Sequence, residues 1–129
     1  MTLPCVTKHT GPEPVASILW LHGLGADGHD FEPIIPELVD PAWPALRFVF
    51  PHAPVRPVTI NMGMAMRAWY DIKAMSLDQR ADEAGLRESI GQVEALIAAE
   101  AEAGIDADRV FLAGFSQGGV VALQVALRH

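Results

Sequence analysis

The sequence predicts an α/β fold with a parallel sheet and helices packed on its faces. Three observations carry this. Residues 15–21, 46–50 and 109–113 are apolar almost throughout rather than alternating, as strands covered on both faces are. Helical stretches at 31–39 and 82–103 lie between them, and strand–helix–strand alternation builds parallel sheets through right-handed crossovers. Glycine-rich segments follow the first and third runs, and loops at the carboxyl ends of strands are where open α/β sheets bind ligands.

Taken in order, residues 15–21 read Val-Ala-Ser-Ile-Leu-Trp-Leu, a buried central strand. Residues 22–30 form a glycine-rich loop. Residues 31–39 make a short helix with Pro33 in its first turn, where a missing N–H is tolerated, and Pro36 as an interruption. Residues 46–50 are a second strand, stopped by Pro51. Pro51, Pro54 and Pro57 then predict a long irregular connection over 51–66, followed by a short extended piece at 68–72. Residues 82–103 give the clearest helix: Leu86, Ile90, Val93 and Ile97 make one apolar stripe, and Glu88, Gln92, Glu100 and Glu102 fall on other faces. An Asp near its start can cap it, and Gly104 can end it in a left-handed turn. Residues 109–113 are the third strand. The last helix, from Gly118 or Gly119, is apolar nearly all round, which predicts burial on both sides.

The 129 residues suit one domain, 1–129, and half of them are hydrophobic. Nine Lys and Arg stand against 16 Asp and Glu, a net charge of −7. A phosphate-backbone binder needs the opposite sign, so nucleic acid is excluded as a partner. The acid of 78–102 reads as a solvated helix face. Cys5 is the single cysteine and cannot form an internal disulfide. Residues 1–15 lack a basic stretch followed by a long apolar one, and no apolar run reaches the ~18 residues of a membrane span. A cytoplasmic protein is the expectation.

The segment Gly114-Phe115-Ser116-Gln117-Gly118 joins a predicted strand to a predicted helix. That is the context of a nucleophile elbow, in which a strained Ser points out of the sheet and flanking side chains would collide. Ser116 is then the candidate nucleophile, and the N–H of Gln117 one oxyanion donor. A Ser nucleophile needs a base, yet no Asp or Glu follows Ser116 and the only later histidine is His129. A helix of eleven residues at 1.5 Å each would hold His129 roughly 16 Å away.

Gly23-Leu24-Gly25-Ala26-Asp27-Gly28 matches G-x-G-x-x-G, but a dinucleotide loop wants an acid at the end of the next strand, and there the sequence reads Val49-Phe50-Pro51-His52. The competing readings are an oxyanion loop and a plain tight turn. His22, Asp27, His29 and Asp30 lie close together without metal-site spacing, which favours a solvated loop and no metal. Met62, Met64, Met66, Trp69 and Tyr70 cluster as ordinary core or as an acyl-chain pocket, the latter with Met64 and Trp69 as lining.

Four blocks in this order, residues 21–28, 50–54, 66–71 and 114–119, resemble the phospholipase/carboxylesterase family of α/β-hydrolases, which includes acyl-protein thioesterases and bacterial-type carboxylesterases. The likeness runs from about Ser17 to Leu127. It implies the N-terminal part of an α/β-hydrolase, truncated after the helix that follows the nucleophile, with the 15–21 strand between the other two. By this resemblance Ser116 is the nucleophile, the N–H groups of Leu24 and Gln117 form the oxyanion hole, the substrate is a small-molecule carboxylic ester or acyl thioester, and no cofactor is needed. The family's catalytic Asp and His lie beyond the length of this chain, and no residue here takes those roles. The rival reading is a catalytically incomplete fragment or a non-catalytic α/β binding module. Lacking further strands, the 109–113 strand would be an open edge that promotes self-association.

Overall fold

The structure, a computed structural model, describes residues 2–72 and 82–128. His129 and the acidic start of the 78–102 stretch lie outside the described residues. Four strands form one sheet: β1 (Cys5–His9), β2 (Ala16–Leu21), β3 (Leu46–Pro51) and β6 (Val110–Gly114), in the order β1-β3-β2-β6. β2 runs parallel to both neighbours, with Leu19 opposite Val49 on one side and Leu112 on the other. The predicted order of the three apolar strands is therefore the observed one.

β1 is an addition the sequence did not announce. It pairs antiparallel with β3, so the sheet is mixed. Its second half, Thr7, Lys8 and His9, is exposed, and an edge strand of this kind has no apolar run to reveal it.

The connection after β3 is more ordered than its prolines suggest. β4 (Val55–Val58) and β5 (Met64–Arg67) pair as a two-stranded antiparallel ribbon. Met62 and Gly63 both take positive φ, 58° and 76°, and reverse the chain between them. Pro57 is accommodated because a two-stranded ribbon is all edge. Residues 68–72, expected to be extended, belong to no strand; side chains of neighbouring helices hold them instead.

Two prolines confine the first helical region to a 3-10 turn, Glu32–Ile34, and the four residues of α1 (Ile35–Leu38). α2 (Glu83–Glu102) has Asp82 at its N-cap, the carboxylate accepting from the Gly85 N–H at 3.0 Å. Gly104, at φ 104°, follows its end. Ile90, Val93 and Leu96 face the core. Glu100 does not face solvent as predicted: it is buried and takes hydrogen bonds from Ser17 Oγ and Arg47 Nε.

α3 (Gln117–Leu127) is buried on one side only. Val121, Ala122 and Val125 pack with Leu19, Leu21, Trp69 and Val93 in the main core, whereas Val120, Leu123 and Leu127 are exposed. The expectation of two-sided burial fails because, among the described residues, β6 has β2 as its one hydrogen-bonded neighbour and stands at the sheet edge.

Candidate active site

The turn between β6 and α3 is built from backbone constraints. Ser116 has φ 55° and ψ −118° and is exposed, a conformation that costs on the order of 1–3 kcal/mol for a side chain with a Cβ. Its surroundings enforce it. The Phe115 N–H donates to the Leu21 carbonyl at 3.0 Å, and the Gly118 N–H donates to the Phe115 carbonyl at 3.0 Å. A Cβ on Gly114 would stand 2.5 Å from the Gly118 carbonyl, and one on Gly118 would run into the carbonyl oxygens of Leu21 and His22. Neither glycine has positive φ, so close approach explains both.

The loop leaving β2 comes to the same place. A Cβ on Gly23 would lie 3.5 Å from the Ser116 Cβ. Gly25, at φ 78°, turns the chain, and its N–H donates to the Arg67 carbonyl at 2.9 Å. The 23–28 glycine loop leads to the short 3-10 turn and α1, not directly into a long helix on whose N-terminus a pyrophosphate could rest.

His22 departs from the solvated-loop reading. It is buried, and its Nε2 accepts the Ala53 N–H at 3.0 Å. Nδ1 therefore carries the proton and donates to the Gly23 carbonyl at 2.7 Å. Burial holds its pKa below the ordinary value, so the ring is a neutral strut. Asp27, His29 and Asp30 are exposed as expected. No three His, Cys, Asp or Glu side chains among the described residues converge as a metal-ligand group.

Beside the elbow lies a cleft of about 410 Å³ lined by Leu24, Tyr70, Ile72, Ser116, Gln117 and Val120. Ser116, Leu24 and Gln117, singled out from different parts of the sequence, meet there. The other two candidates lie elsewhere. Trp69 is fully buried and Met64, on β5, is 65% exposed. Val120, one helical turn past Ser116, is legible from spacing once the helix is known; Ile72, on an irregular segment, has no sequence signal.

Gln117 does more than supply a backbone group. Its side chain, 4% exposed, accepts the Trp69 N–H at 2.7 Å and donates to the Tyr70 carbonyl at 2.8 Å. The Trp69 indole donates in turn to the His22 carbonyl at 2.8 Å. The main-chain N–H of Gln117 opens α3, in the turn where amides lack intrahelical partners and favour negative charge.

Comparison with known proteins places the fold and the family. The chain is 38% identical over 128 residues to acyl-protein thioesterase 1 of Cryptococcus neoformans, an alignment covering 94% of this chain and 53% of that protein. Among solved structures it resembles SOBER1 of Arabidopsis thaliana, with a TM-score of 0.80 at 37% identity over 87% of this chain and 54% of that one. It also resembles acyl-protein thioesterase 2 of Zea mays, at 0.75 and 31% over 94% and 50%. The chain thus spans about half the length of the relatives it matches. Residues 4–129 match the phospholipase/carboxylesterase pattern, and with a strained Ser between two close-packed glycines at the end of a parallel strand, the chain belongs to the phospholipase/carboxylesterase family of α/β-hydrolases.

Proposed function

We propose that this chain carries the nucleophile and the oxyanion hole of a serine hydrolase that cleaves carboxylic esters or acyl thioesters through an acyl-enzyme. One observation supports the reading above the others: Ser116 holds a left-handed backbone against the Gly23 loop. Ser116 Oγ, giving up its proton to a base, attacks the acyl carbonyl carbon, and the N–H groups of Leu24 and Gln117 receive the developing oxyanion. The tetrahedral intermediate collapses by breaking the C–O or C–S bond, and the leaving alcohol or thiol takes the proton. Water then hydrolyses the acyl–Ser116 ester, which releases the acid and restores the hydroxyl. The cleft between Leu24, Tyr70, Ile72 and Val120 takes the acyl group.

The attacking hydroxyl must lose its proton to a base. His22 has both ring nitrogens committed to Ala53 and Gly23 and is not free to take that proton. By its likeness to the family, whose catalytic Asp and His match no residue of this sequence, the 129-residue chain by itself is a hydrolase with its acid–base half unsupplied. It retains at most the ~10³–10⁴-fold acceleration that an oxyanion hole and binding give without a triad. It forms a single α/β domain unit, and its lone cysteine suits a cytoplasmic location. The exposed Phe111, Leu123 and Leu127 on β6 and α3 favour self-association through that side.

The test is acylation of the purified 129-residue chain by a p-nitrophenyl ester, read by intact mass, with Ser116→Ala as control. Slow modification that Ser116→Ala abolishes, without turnover at ordinary esterase rates, is expected. Equal modification of Ser116→Ala would leave the binding-module reading in place.

A further inference from the structure

We propose that the side-chain amide of Gln117 is a positioning group that sets the spacing of the two oxyanion donors, acting through Trp69 on the 22–24 loop. This rests on the reading of Leu24 and Gln117 as donors given above.

The residue that would offer one donor through its main chain also grips, through its side chain, the segment that holds the other donor. Gln117 Oε1 takes the Trp69 N–H and Gln117 Nε2 gives to the Tyr70 carbonyl. The two partners fix the amide's orientation, since a carbonyl oxygen must meet the N–H and an NH₂ must meet the C=O. Trp69 is then held at three points: its N–H by Gln117, its carbonyl by Ser89 Oγ from α2, and its indole N–H by the His22 carbonyl. Gln117, Trp69, Ser89 and His22 are all buried. The His22 carbonyl is one residue before Gly23, whose missing side chain allows the loop to lie against Ser116. A continuous hydrogen-bonded path thus runs from the first residue of α3, through Trp69, to the start of the Leu24 loop.

The chemistry at position 117 is narrow. A carboxylate there would face the Tyr70 carbonyl without a proton to give, and a Met would leave both backbone groups unsatisfied in a buried place. Other side chains leave the main-chain N–H of residue 117 in position but release the loop that must face it. Tyr70, on the cleft wall, would be released with it.

Hydrogen–deuterium exchange of the 129-residue chain tests this without substrate. In Gln117→Met, amides of residues 22–26 and 67–72 should exchange about tenfold faster, the equilibrium equivalent of one lost buried hydrogen bond, while those of residues 90–96 in α2 keep their rates. A general loss of stability would speed α2 equally and would overturn the proposal. Trp69→Phe cuts only the indole link, and it decides the matter should Gln117→Met fail to fold. Exchange at 22–26 accelerated about tenfold more than at 90–96 is expected, and equal acceleration of the two segments, or none at 22–26, would overturn the coupling. Because no acyl transfer is read, a coupled loop with no Ser116 acylation sinks only the proposed activity, and acylation with an uncoupled loop sinks only the role of Gln117.

Discussion

Glu100, in the last turn of α2, accepts Arg47 Nε of β3 through both carboxylate oxygens, at 2.9 and 3.2 Å. Ser17 Oγ of β2 donates to the same carboxylate, so one buried charge ties α2 to two central strands at the amino end of the sheet, away from the cleft. Cys5 lies near it, and burial first, then the negative Glu100, raises its thiol to about 11. That makes Cys5 an inert thiol rather than a second nucleophile.

Removing one partner leaves the Glu100 charge buried and underpaired. Arg47→Met should lower unfolding free energy by about 2–3 kcal/mol in urea titration, somewhat less than a fully buried pair because Arg47 is partly exposed. Ser17→Ala should cost about 1 kcal/mol. Losses below about 0.5 kcal/mol for Arg47→Met would show the tie to be energetically silent.

Two glycine substitutions should have opposite signs. Gly91 is exposed in α2 with nothing within 4 Å of an added Cβ, so Gly91→Ala should stabilise by about 0.5–1 kcal/mol through helix propensity. In Gly118→Ala the methyl meets the carbonyls of Leu21 and His22, and a loss of about 3 kcal/mol or more is expected from overpacking. Thermal midpoints of the two variants measured beside the parent settle it.

Acid should weaken the fold through its buried imidazole. Burial lowers the pKa of His22, and burial with the Arg67 charge lowers that of His52, both from an ordinary 6.5. The unfolded chain binds those protons near 6.5 while the folded chain resists them. Stability is therefore full above about 6.5 and falls as the pH drops below it. Melting at pH 7.5 and 5.5 should show the lower midpoint in acid, and an NMR titration should find His22 still neutral at pH 6.5. His22 titrating at or above 6.5 would contradict its place between Ala53 and Gly23.

Two indoles with a buried N–H should respond differently to its loss. Trp20 Nε1 is buried with no hydrogen-bond partner among the described residues, and its ring packs on Phe31 at 5.1 Å. Trp20→Phe removes an unsatisfied donor along with some volume and should stay within about 1 kcal/mol of the parent. Trp69→Phe also strips the His22 carbonyl of its donor and should cost about 2–3 kcal/mol. Equal losses would mean that volume alone decides.

The central strands, α2 with its cap, and the Ser116 turn with Gln117 were legible because each leaves a local mark, whereas Leu24 was named through the family resemblance. Those marks are a continuous apolar run, a stripe at helical spacing, and paired glycines around a Ser. What escaped depends on partners distant in sequence. β1 is a strand only because β3 offers it an edge, and the 55–67 ribbon needed the left-handed Met62 as well as Gly63 to close. His22 and Glu100 look like surface residues by type, and partners far away in sequence, the Ala53 N–H and the Arg47 guanidinium at 31 and 53 residues, help make their burial tolerable. The Tyr70 carbonyl on the cleft wall takes its hydrogen bond from Gln117, 47 residues away, which no periodicity could show.

The Leu21 carbonyl receives the Phe115 N–H and also borders the bare α-carbon of Gly118. The last residue of β2 is therefore a common mooring for the serine turn and for the loop that leaves β2 itself. When the sheet flexes, both should ride with that one anchor, so thermal motion displaces them together and leaves their separation nearly constant. Partial denaturation should then abolish the pair in a single step rather than blur it by degrees.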